Sequence, residues 1–312
     1  MPHEGHAHGH HDHQHHHHHV DPDAMGDRKL HLAVAANIVL TVGQVAGGLA
    51  AGSLALVADA LHNFSDAAAL LLAVVARRIG RKPADPARSF GYRRAELIAA
   101  LINLTVLVVL GLFLVNEAVW RLIEPEPIEG WIVVIVAGVA LAVDVATACL
   151  TFALARTSIN IKAAFVHNLA DAAASLAVIL GGGLILLFGW VWIDAVLTLA
   201  IAVYVLWHGL ALMPGTIHIL MEGTPRHIDR RAVIDAMAAV SGVEAVHHIH
   251  IWWLDEARVA LEAHVVIDDA MVAGGDLARL EAIKADLKHL LAERFDIAHS
   301  TLEFERHGIA CA

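Results

Sequence analysis

His62-Asn63-Phe64-Ser65-Asp66 and His167-Asn168-Leu169-Ala170-Asp171 each place a histidine four residues ahead of an aspartate. On an α-helix, residues four apart share a face and lie about one turn from each other. Two such helices brought together would offer two imidazole nitrogens and two carboxylate oxygens. That donor set suits a tetrahedral Zn²⁺ site, and imidazole favours transition metals over Mg²⁺ or Ca²⁺. The alternative is a structural hydrogen bond within each helix. Two copies of the pattern, both within apolar segments, argue for a shared ion, because an ionisable group in lipid needs a partner, a cavity or a metal. No glutamate sits beside either histidine, so the H-E-x-x-H pattern of a zinc protease is absent.

Other polar residues interrupt the same apolar background. Asp59 stands three residues before His62 and falls on the same helical side, where it would orient a ligand. Asp144 sits alone in a fourth apolar run and reads as a proton relay, a ligand-orienting partner or an interhelical hydrogen bond. Asn37, Gln44 and Asn103 read as polar contacts between helices. Gly43, Gly47 and Gly48 would let helices approach closely.

The elements that must position these groups are six long apolar runs, roughly 30–50, 54–76, 97–120, 131–155, 163–188 and 191–213. Each supplies about 20 or more residues, enough to cross a hydrocarbon core of about 30 Å. The stretch before the first run is polar, so no signal peptide is expected. Basic residues set the orientation. Arg28 and Lys29 precede the first run, and Arg77, Arg78, Arg81, Lys82, Arg88, Arg93 and Arg94 separate the second from the third. Arg156 and Lys162 follow the fourth run, and Arg226, Arg230 and Arg231 the sixth. The opposite connections are bare or acidic: Ala51-Gly52-Ser53, Glu124–Glu129 and Gly189-Trp190. Six spans with both termini in the cytoplasm satisfy every loop. Trp120, Trp131, Trp190 and Trp192 fall at the outer ends, where amphipathic rings collect.

Composition agrees. Of 312 residues 58% are apolar and 17% charged, and mean hydropathy is +0.62, against about a quarter charged in a soluble domain. The net charge of −11 argues against nucleic acid as a partner. Two cysteines, Cys149 and Cys311, fit a reducing cytoplasm rather than a disulfide framework. Of 24 histidines, 11 lie between His3 and His19, interspersed with Gly, Asp, Glu, Ala and Gln. Residues 1–27 are expected to be a disordered tail, either an inert extension or a weak, multivalent collector of Zn²⁺.

After the six-helix transmembrane domain (28–215), residues 216–312 have the texture of a soluble domain. The periodicities predict a helix over 228–240, strands over 246–253 and 258–267, a helix over 276–295 and a strand over 300–305. The order αββαβ suits a compact helix-on-sheet domain. His247, His248, His250, His264, His299, Glu303, Glu305 and Cys311 cluster around the strands. Glu303 shares a strand face with Glu305, and Glu262 with His264. They read either as ordinary surface residues or as metal ligands.

Three stretches resemble signatures of the cation diffusion facilitator family: Ala58–Asp66, Ser89–Glu96 and Asn160–Asp171. The likeness runs from about residue 28 to the end. It implies a homodimeric divalent-metal/proton antiporter with six spans and a ferredoxin-like cytosolic domain. Carried over residue by residue, the family's transport site falls on His62, Asp66, His167 and Asp171, and a histidine at the first position implies a preference for zinc. The resemblance also implies a regulatory zinc site in the cytosolic domain at His247, His264 and Glu305, with Cys311 as a further candidate. The family's loop site maps to Asp85, but Arg88 and Tyr92 replace its two histidines, leaving Asp85 a weak ligand. The function expected is proton-coupled efflux of Zn²⁺ across the cytoplasmic membrane by alternating access. A membrane-bound zinc sensor without transport is the alternative. A metal-assisted hydrolase is disfavoured, since no general-base motif accompanies the pairs, and no enzymatic activity is expected.

Overall fold

The computed structural model describes residues 27–152, 159–268 and 277–306, without the side chains of residues 27–37, 150–152, 159–164 and 167. Six helices come first: α1 (Asp27–Ala51), α2 (Leu54–Gly80), α3 (Arg94–Ile123), α4 (Gly130–Phe152), α5 (Ile159–Phe188) and α6 (Trp192–Leu220). Then follow α7 (Arg230–Ala238), β1 (Val243–Trp253), β2 (Val259–Ile267), α8 (Leu277–Phe295) and β3 (His299–Arg306). The helical and strand segments fall where the periodicities place them.

Among the described residues, five helices, α2 to α6, are long and apolar enough to cross a membrane. α1 has 25 residues, of which the shorter section Ile38–Ala51 is described as apolar. α2 runs beyond the apolar stretch as far as Gly80, bringing Arg77 and Arg78 into its last turn, where cations favour the helix dipole. α6 likewise continues through Pro214 instead of stopping before it. A proline removes one backbone hydrogen bond, a loss that long membrane helices tolerate when neighbours re-satisfy the freed carbonyl.

The chain divides into two compact units. Among the described residues, the first comprises 27–70, 113–152 and 159–203, and the second 71–112, 204–268 and 277–306. In the first, Ala51, Leu56, Val133, Ala137 and Val178 form one buried cluster, and Ala58, Leu114 and Ala202 another. Small residues predominate because the helices lie close. A Cβ on Gly47 would come 2.7 Å from a Val136 methyl, and one on Gly182 would come 3.0 Å from a Val133 methyl. Gly48 is equally crowded, by Val57, whereas Gly43 faces open space. Large apolar side chains instead point outward: Val39, Leu49 and Leu187 are each more than 70% exposed. That inversion is expected of helices solvated by lipid.

The second unit contains the three-stranded sheet, ordered β1-β2-β3, with β1 antiparallel and β3 parallel to β2. One face carries the core. Val233 and Met237 of α7 and Ile283, Leu287 and Leu291 of α8 pack on Ile249, Ile251, Leu261, Ala263 and Val265. The other face carries His247, His264, Glu303 and Glu305. Simple alternation along β1 would put His247 on the same face as Ile249. A bulge between His247 and His250 prevents this, with His248 as the extra residue at φ 46°. Residues 249, 251 and 253 thereby keep to the core while His247 stays outside.

Candidate metal centre

His62 and Asp66 project from α2 one turn apart, and Asp171 comes from α5. His62 Nε2 lies 3.5 Å from Asp171 Oδ1 and 3.8 Å from Asp66 Oδ2. Ligands held 2.0–2.2 Å from a tetrahedral ion are separated by roughly 3.3–3.6 Å; the His62–Asp171 approach falls in that range and the His62–Asp66 approach is slightly longer. One ligand atom from each of the three lies within 4.8 Å of the others. The trio is mostly shielded: the His62 and Asp171 side chains are each 12% exposed. His167 stands one turn before Asp171 on α5, and its side chain lies outside the described residues.

A buried polar network adjoins the trio. Asp59 accepts a hydrogen bond from Gln44 Nε2 at 2.7 Å, and Asn63 Nδ2 donates to Gln44 Oε1 at 3.2 Å. Ser175 Oγ stands 3.0 Å from Asp144 Oδ2 and 3.5 Å from Asp59 Oδ2. The hydrogen bonds described for Asp59 thus run to α1 and α5 rather than to His62. Gln44 makes the interhelical contact expected of it. Asp144 is tied to α5 through Ser175, a residue the sequence reading did not single out.

The other predicted residues fall in the second unit. Register places His247 opposite His264, and His264 opposite Glu303. Glu305 bridges two imidazoles: Oε1 meets His264 Nδ1 at 2.5 Å, and Oε2 meets His247 Nε2 at 3.0 Å. Glu303 Oε2 is 3.6 Å from His264 Nε2. Desolvation pushes the Glu305 carboxyl up, but the hydrogen bond and charge of His264, with those of His247, outweigh it and hold it below its ordinary value. His247, His264 and Glu305 form the second cluster of three ligand-type side chains among the described residues. Cys311 and the tract His3–His19 lie outside those residues.

Asp85 is in neither cluster. Its Oδ1 accepts from the amides of Ala87 and Arg88, and its Oδ2 from the Tyr92 hydroxyl at 2.6 Å. The carboxylate closes a turn in the α2–α3 connection. Asp194, a buried carboxylate at the start of α6, is a further polar residue that no sequence pattern set apart beyond its placement in an apolar run.

Apolar helices of spanning length, a sheltered His/Asp cluster between two of them and a small sheet domain define a membrane protein that handles metal cations. The cation efflux transmembrane domain family matches residues 30–221, and the cation efflux protein cytoplasmic domain family matches residues 225–307. The metal cation efflux system protein CzcD of Cupriavidus metallidurans is 33% identical over 89% of this chain and 86% of its own length. The cadmium, cobalt and zinc/H(+)-K(+) antiporter of Bacillus subtilis is 33% identical over 83% of this chain and 82% of its own. The zinc transporter ZitB of Escherichia coli is 31% identical over 93% and 92%. A solved metal-bound C-terminal domain of the Cupriavidus CzcD transporter matches 25% of this chain and 99% of that domain, at 35% identity and a TM-score of 0.21. The chain belongs to the cation diffusion facilitator family of metal cation efflux transporters.

Proposed function

We propose that the protein exports Zn²⁺ in exchange for protons, at a site made by His62, Asp66, His167 and Asp171. The carrying observation is the 3.5 Å approach of His62 to Asp171 within helices that are otherwise apolar. Mixed imidazole and carboxylate ligands suit Zn²⁺ and its transition-metal neighbours over Mg²⁺ or Ca²⁺, and two of the similar proteins carry zinc in their names.

Coupling follows from competition for the same atoms. Imidazole binds metal only when neutral, and its ordinary pKa near 6.5 lets it exchange a proton for an ion near cytoplasmic pH. Facing the cytoplasm, His62 and His167 lose protons and zinc binds. Facing outward, protons return to the ring nitrogens and the carboxylates and release the ion. Moving one charge against 100 mV costs about 2.3 kcal/mol, so a dication costs about 4.6. One proton inward offsets half of this and leaves the rest to the pH gradient, while two make the exchange electroneutral.

In this reading α1 is a sixth span, residues 28–215 form the transmembrane domain and both termini are cytoplasmic. Residues 216–312 are cytosolic and pair in a homodimer, as the matched cytoplasmic-domain family supports. Zinc held by His247, His264 and Glu305 regulates transport, and the N-terminal histidines gather the ion. Zinc flux into proteoliposomes under an imposed pH gradient tests the proposal. Flux that collapses with the gradient, and is abolished by Asp171→Ala, supports it. No flux, with zinc still bound, would favour a sensor.

A further inference from the structure

The first turn of a helix leaves backbone N–H groups without partners in the helix. In α2 two side chains take them. Ser53 precedes the helix, and its hydroxyl accepts from the Leu56 amide at 3.1 Å. The other side chain comes from a different helix. Asp194, in the first turn of α6, accepts from the Leu54 amide at 2.8 Å and from the Ala55 amide at 3.3 Å through Oδ2. The Ser53 hydroxyl donates to Asp194 Oδ1 at 2.5 Å. Asp194 is 2% and Ser53 1% exposed. A buried carboxylate is unfavourable unless donors meet its charge. Here two amides, a hydroxyl and the positive end of α2 do so.

The cap therefore fixes α2 to α6 along the axis and in rotation, since both carboxylate oxygens address consecutive groups at one helix end. The same turn is held from two other directions. Arg121 Nη1 donates to Gly52 O at 2.5 Å, and the Glu129 amide donates to Ala51 O at 2.9 Å. Gly52 has φ +68°, and a Cβ there would come 2.8 Å from Pro127 O.

His62 and Asp66 lie on the same helix, roughly 13 and 20 Å beyond Ser53 at about 1.5 Å per residue. No glycine or proline stands between to absorb a shift. A displacement at the cap is carried to the ligands, and a metal site tolerates only about 0.5 Å.

We propose that Asp194 is a positioning residue for the metal centre: by capping α2 from α6, it sets the height and rotation at which His62 and Asp66 meet Asp171. The proposal rests on the reading that this trio is the transport site.

Full-length protein in proteoliposomes, assayed for zinc flux, tests it. Asp194→Asn should raise the KM for zinc at least tenfold while leaving Vmax within threefold and the protein folded. Exchanging the pair, Ser53→Asp with Asp194→Ser, returns an anionic cap to α2 and should bring KM back within threefold of wild type. A role in folding alone would lower the amount of folded protein and leave the KM of the remainder unchanged. The proposal is overturned by a folded Asp194→Asn with wild-type KM, or by a folded exchange variant whose KM stays tenfold high. Failure of both variants to fold also counts against it, by showing a role in folding alone. Asp171→Ala separates the two readings. If that variant still transports, the site assignment itself fails. If it is inactive while Asp194→Asn is normal, only the cap is lost.

Discussion

His62 on α2 and Asp171 on α5 approach within 3.5 Å, although they lie on helices from opposite halves of the transmembrane sequence. Removing either should remove a ligand. Even partners that merely orient a ligand change affinity by about 10–100-fold, so Asp171→Ala is expected to weaken zinc transport by more than ~100-fold. His62→Asp replaces nitrogen with oxygen and should alter the ratio of zinc to cadmium flux. An unchanged ratio would break the link between His62 and metal choice.

The Asp85–Tyr92 hydrogen bond predicts a pH window. It holds Asp85 below its ordinary 3.8 and Tyr92 above its ordinary 10.0. A lowered carboxyl pKa stabilises the fold above the unfolded value and ceases to do so as pH falls through the folded one. A raised phenol pKa stabilises below 10.0 and is lost as pH climbs through the folded value. The turn should thus be held from about pH 4 to about pH 10. With Tyr204→Phe leaving Tyr92 as the lone tyrosine, ultraviolet titration should give a midpoint above 10.0, and a lower one would contradict the hydrogen bond.

Gln44 offers a different measurement. Its amide donates to Asp59 and accepts from Asn63, all three being buried. Gln44→Leu removes the acceptor of Asn63 Nδ2 and leaves Asp59 with only the longer Ser175 bond, and a buried polar group left unsatisfied costs about 1–3 kcal/mol. Denaturation in detergent should show a loss of that order, while Gln44→Glu should be worse still because it sets a second carboxylate against Asp59. A neutral Gln44→Leu would mean the network carries no stability.

In the sheet domain, Glu305→Gln should remove one tightly held zinc per chain, as counted by equilibrium dialysis of the full-length protein. Retention of that zinc would reduce the Glu305 bridge between His247 and His264 to a hydrogen-bond pair.

The membrane trio was legible because ionisable residues stand out in apolar sequence. The spacing of four gave the helical face, and two matched segments gave the pairing. Asp194 was not legible in the same way. A carboxylate near the end of an apolar run is ordinary, and its partner Ser53 is 141 residues away. Alternation put Glu303 with Glu305, as the parallel register of β2 and β3 has them. It could not place His247, because one extra residue in a strand leaves no periodic mark. The sixth apolar run, read over about 191–213, falls short of α6, which continues through Pro214 to Leu220 because the polar and proline residues at its end lower hydropathy without ending the helix.

The bulge on β1 makes His248 surplus to the ladder. Excising that residue would leave an evenly pleated strand, with Val246 and Ile249 still inward and His247 still outward. Substituting it changes a ring tilted against His264 with centroids 4.8 Å apart and keeps the bulge, whereas deleting it also relieves a left-handed backbone. The extra residue thus lets this edge strand display one more side chain than an even pleat of the same span would hold.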